Sequence, residues 1–138
     1  MEQKDYLTRQ IEQMALVLRK LIGRLLNADD PTSLENEQES PFQELETALN
    51  TDFHALIELS NEDFLDKLLN EHHYTTAHLE ALAEINLLLV TKNERSDRKN
   101  LIDKALFIYA FLEKKEAIYS SKRQQKIAIL QELKLLNE

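Results

Sequence analysis

Three of the chain's four histidines, His72, His73 and His78, fall within seven residues, with Glu71 and Glu80 beside them. This is the one local concentration of metal-ligand types. A helical metal pair needs i,i+4 spacing, as in HExxH, so that both rings leave the same face. No such pair occurs here. His73 and His78 are five apart and straddle an expected helix start at Thr75 or Thr76, so only the bend between two elements would bring their rings together. Histidines at helix ends more often pack or hydrogen-bond locally than bind a metal. His72, His73 and His78 are therefore kept as a candidate cluster, while no metal and no other cofactor is expected.

Carboxylates are abundant, in pairs such as Glu44/Glu46, Glu62/Asp63/Asp66 and Glu35/Glu37/Glu39, and that abundance makes each pair uninformative. A di-metal helical bundle would carry Glu-x-x-His on facing helices, and the sequence contains no such tetrad. Acid–base catalysis needs a carboxylate whose pKa is shifted by a pocket, which spacing does not reveal. Two basic clusters stand at helix starts: residues 92–99 (KNERSDRK), and Lys122-Arg123 with Lys126. Either could meet phosphates, with Tyr119 as a stacking ring. Glu94 and Asp97 dilute the first, so solvated helix faces are the simpler reading.

Composition narrows the chemistry further. In 138 residues there is one glycine, Gly23, and no cysteine. A phosphate-cradling P-loop, a GxGxxG turn and a GxSxG elbow each need more glycines than that. Without cysteine there is no disulfide, thiolate metal site or thiol nucleophile. The net charge of −8 disfavours broad binding to nucleic acid or anionic membranes. It is unevenly placed: residues 28–73 hold 13 acidic groups against the single Lys67, while each flank carries a small basic excess. The longest uncharged runs, His72–Leu79 and Ala105–Leu112, are far too short to span a bilayer. The opening Met-Glu-Gln-Lys-Asp has no apolar signal core, so the expected compartment is the cytoplasm.

The elements that would position these groups are helices. Over residues 3–27, Leu7, Ile11, Met14, Leu18, Leu21 and Leu25 recur at alternating spacings of four and three, with Ala15 and Ile22 widening the stripe. Leu16 and Gly23 fall on the far face. The six-residue seam either folds back onto the rest of the chain or pairs with the same helix of a second copy, because a stripe of that size does not stay exposed. Residues 28–40 form an acidic loop with Pro31, in which Thr32–Glu35 could cap one turn. Ser40-Pro41-Phe42-Gln43 then combines a cap, a first-turn proline and a capping-box glutamine.

Thr51, Ser60 (with Asp63) and Thr75 or Thr76 are expected to cap the next helices, the last running to about Lys92. Its apolar residues, Leu79 to Val90, populate more than one face, which marks it as the most buried helix. Ser96 and Ser121 (with Gln124) would open a closing hairpin of two antiparallel helices.

The start Lys4-Asp-Tyr-Leu-Thr-Arg-Gln-Ile-Glu-Gln-Met14 resembles a family of small bacterial all-helical proteins of unknown function that share a DYxxRQIEQ opening. The stretches Lys104–Tyr109 and Tyr119–Arg123, with Ile127, are similar to that family's closing hairpin. The resemblance covers roughly a third of the chain, implies a helical fold, and brings no catalytic residue. Ala105-x3-Tyr109-x2-Leu112 also resembles the second helix of a tetratricopeptide repeat, although no 34-residue self-similarity accompanies it.

The expectation is one all-α domain over 1–138: a long N-terminal amphipathic helix, an acidic loop over 28–40, and a core over 41–138. About six helices would pack as tetratricopeptide-like antiparallel hairpins. The function that fits is a non-enzymatic protein-interaction or scaffold module that self-associates through the N-terminal helix or takes a protein partner. The competing reading is a nucleic-acid-associated regulator using the basic starts near 92–99 and 122–126. No membrane association is expected.

Overall fold

The computed structural model describes residues 2–26, 43, 46–47, 52–92, 98–116 and 120–136. Among them are six α-helices and no strand: α1 (Glu2–Leu26), α2 (Phe53–Glu58), α3 (Asn61–Asp66), α4 (Thr76–Lys92), α5 (Arg98–Glu116) and α6 (Ser121–Leu136). The fold class is all-α, as the helical periodicities imply. The expected Ser40-Pro41 helix start, the Thr32–Glu35 turn and the Ser96 cap lie outside the described residues.

Local chemistry sets the helix starts, in two cases one residue away from the expected cap. Ser60 caps α3 by accepting the Asp63 N–H at 3.2 Å, as the sequence suggests. At α2 the cap is Asp52, whose Oδ1 accepts from the amides of His54 and Ala55 at 3.0 and 3.4 Å. At α6 the cap is Ser120, accepting from the Arg123 N–H at 3.2 Å, and Ser121 is the first helical residue. In both cases neighbouring residues each carry a suitable oxygen, and the backbone entry decides which one caps.

The sequence suggests one helix from Asn61 to Glu71, but α3 gives way to a π turn over Lys67–Glu71. The His72 N–H bonds back five residues to the Lys67 carbonyl at 3.0 Å, and the Tyr74 N–H reaches the Leu68 carbonyl at 2.9 Å. His73, at φ 57°, then turns the chain through the left-handed region.

Polar pairs between helices reveal the directions. Asn86 donates to the Leu101 carbonyl and Arg98 to the Val90 carbonyl, so α4 and α5 run antiparallel. Glu113–Arg123 and Asp103–Lys134 show the same for α5 and α6, the expected closing hairpin. Glu80–Arg123 and Glu84–Lys126 make α4 and α6 run the same way. α4 is the centre of the stack, packed against α1, α5 and α6. Leu79, Leu82, Ala83, Ile85, Leu89 and Val90 are all buried, which explains why its sequence shows no single apolar face.

α1 lies against α4 within the chain. Leu18, Leu21 and Leu25 of its seam are in the core, and Leu7, Ile11 and Met14 are half-buried along the same side. This face therefore goes into the chain's own interior. Leu16, on the opposite face, is 62% exposed. A Cβ added at Gly23 would meet nothing within 4 Å among the described residues, so no close approach of a backbone among them accounts for that glycine.

Candidate functional site

The three histidines of the candidate metal cluster are dispersed in role by the turn that joins α3 to α4. His73 is exposed on the left-handed residue, and His72 is half-buried with its ring edge-on to Tyr74 at 6.5 Å. His78 is 2% exposed and occupied at both nitrogens. Its Nδ1 accepts the Thr75 N–H at 3.0 Å, while its own N–H donates to Thr75 Oγ1 at 3.3 Å. This is a capping box with imidazole where Glu or Gln usually stands. A carbonyl can only accept, so the 2.9 Å contact with the Ile11 carbonyl on α1 places the ring proton on Nε2. Tyr74 packs against this ring at 5.1 Å and donates its hydroxyl to Met14 Sδ at 3.6 Å. The imidazole thus fastens α1 to the start of α4. Burial pushes its pKa below the ordinary value, with the Ile11 bond opposing the shift. Among the described residues, no three His, Asp or Glu side chains come together as a metal-binding group.

The second cluster expected to carry chemistry, at the start of α6, has a different partner from the one its charge suggests. Arg123 is only 4% exposed, and its guanidinium grips Glu80 through Nη2 at 2.6 Å and Nε at 3.2 Å. It also reaches Glu113 and Glu116, each at 3.4 Å. These bonds, Glu80 first, raise its pKa, and the cation is permanent in any case. Lys126 pairs with Glu84 at 3.3 Å. Arg98 is half-buried and donates to the Val90 carbonyl at 3.4 Å. Among the described residues of the two basic starts, Lys99 and Lys122 remain as exposed cations. The phosphate-binding expectation thus loses Arg123 to a carboxylate cage that bolts α4, α5 and α6 together.

Beside that cage lies an open groove of about 480 Å³ along the outer side of α4. Ala77 and Ala81, one turn apart, line it together with Ile22 of α1. Arg19 stands on the α1 side. Glu80, Glu84 and Glu116 form the opposite side, each tied to a cation of α6. The groove lies between α1 and Glu116 of α5, over a stretch of α4 that carries alanines where a larger side chain would fill the space. It runs from Thr76 to Glu84, about 12 Å or slightly more than two helical turns.

Two more buried polar groups mark the interior. Lys104 Nζ donates to Asn61 Oδ1 at 2.9 Å and sits 5.7 Å from the Phe64 ring centre, and burial lowers its pKa. The Tyr109 hydroxyl is fully buried and finds no hydrogen-bond partner among the described residues, and burial raises its pKa. Neither is among the residues that line the groove.

Comparison with known proteins gives no match to any family model, curated protein or solved structure. The described helices include none long and apolar enough to cross a membrane.

Proposed function

We propose that the chain is a non-enzymatic protein-interaction module whose docking surface is the groove along α4. The observation that carries this reading is the open channel over Ala77 and Ala81, apolar at its base and flanked by Arg19 on one side and carboxylates on the other. An elongated apolar groove with charged margins is the shape that receives an amphipathic helix. The antiparallel hairpins around it, tetratricopeptide-like in the Ala105-Tyr109-Leu112 spacing, favour the same use, since stacked helix pairs present such grooves. Self-association through α1 has no part in this reading, because Leu18, Leu21 and Leu25 already fill the chain's own core.

The test is a photo-crosslinking side chain placed at Ala77, compared with the same group at Gln131 on the exposed side of α6, both in living cells. Discrete protein adducts from position 77 and none from 131 support the docking surface. Equal or absent adducts at both positions remove it.

A further inference from the structure

Resting on that reading, we infer that the groove takes a two-turn amphipathic helix with basic side chains on one flank only, the flank that faces α5 and α6. The length follows from the groove, which spans slightly more than two turns of α4. Ala77 and Ala81 give the partner's apolar residues room between the walls, at the i and i+4 spacing on which a second helix seats its own side chains.

The charge follows from an imbalance beneath one wall. Arg123 is a single cation shared by Glu80, Glu113 and Glu116, so that wall keeps an excess of negative charge after its internal pairing. Glu80 and Glu116 both line the groove, and each is about one-third exposed, within reach of an incoming ammonium or guanidinium. The other wall presents Arg19, exposed on α1, which repels a basic flank and accepts an acidic or neutral one. Carboxylates on one side and a guanidinium on the other fix which way round the partner lies. A partner that bound by net charge alone would show no such one-sidedness.

Selection from a display library of amphipathic helices about fourteen residues long tests this, with the two flanks randomised independently. The full chain is the target, and Ala77→Trp is the counter-target. Ala77 is exposed, so tryptophan there should fill the groove without disturbing the core, and matching circular dichroism and melting establish that it does not. Clones that prefer the native chain should carry Lys or Arg on one flank, with the other neutral or acidic. Glu116→Gln should weaken those clones about threefold at low salt, and the difference should vanish at high salt.

Groove-specific clones with unbiased, acidic or doubly basic flanks overturn the inference and leave the docking groove standing. Failure to find any clone that distinguishes the native chain from Ala77→Trp overturns both. A concentration-dependent dimer in sedimentation, abolished by Ala77→Trp, identifies a second copy as the occupant and likewise refutes the basic-helix partner.

Discussion

Protonating His78 should loosen α1 from α4. The neutral ring accepts from Thr75 through Nδ1 and donates to Ile11 through Nε2, so a second proton turns the Nδ1 acceptor into a donor facing a donor. The cap bond, worth about 1 kcal/mol, is lost, and a charge is left at a site almost sealed from water. Because burial holds the folded pKa below the ordinary 6.5, the stabilisation is complete above 6.5 and drains away as pH falls below that value. One proton limits the slope to about 1.4 kcal/mol per pH unit. His72 adds to the trend, since burial also depresses its pKa, with Glu71 opposing and Lys67 and His73 reinforcing.

His78→Gln isolates the contribution. Glutamine at this position restores the capping box with Thr75 but gives up the bond to Ile11 and the ring packing on Tyr74. The cost at neutral pH should be about 2 kcal/mol, half from the hydrogen bond and half from lost packing. Urea denaturation between pH 7.5 and 5 measures both effects, above the range where most carboxylates titrate. The native chain should lose stability through this window, and His78→Gln should lose markedly less. Nitrogen-detected magnetic resonance should place the proton on Nε2. Parallel pH profiles for the two proteins, or a proton found on Nδ1, would refute the reasoning.

Four further variants follow from the packing. Gly23→Ala should stabilise by about 1 kcal/mol in urea melts, since the added methyl meets open space and removes the helical cost of glycine. Leu18→Glu with Leu25→Glu should abolish the cooperative melt, because both leucines are buried in the core. Leu16→Glu, on the exposed face, should change stability by less than about 0.5 kcal/mol. Arg123→Ala should cost about 3 kcal/mol, nearer the lower end for a broken buried pair because its carboxylates are partly solvated.

Periodicity carried the architecture well. The seam from Leu7 to Leu25 points α1 inward at its C-terminal half, and the crowded apolar residues of Leu79–Val90 mark α4 as central. Where the sequence misleads, the missing information is a long-range contact or a backbone angle. Arg123 reads as a solvated cation, with phosphate contact as the competing reading, because its principal partner, Glu80, is 43 residues away. A hint was present in Glu113 and Glu116, placed just across the hairpin turn from it. His78 invites a metal reading by composition, although its place three residues after Thr75 is also the capping-box position. The groove depends on which way Ala77 and Ala81 face, and that is set by how α4 packs against α1 and α5.

The π turn at Lys67–Glu71 widens the end of α3 by one residue just before the chain turns at His73. Removing a single residue there would let the segment relax to ordinary α-helix and confine the change to the approach to His73. The same deletion inside α4 would swing every later side chain by about 100° and carry Glu80, Glu84 and the core leucines off their partners. Length variation is therefore cheaper at that turn than a dozen residues later in α4.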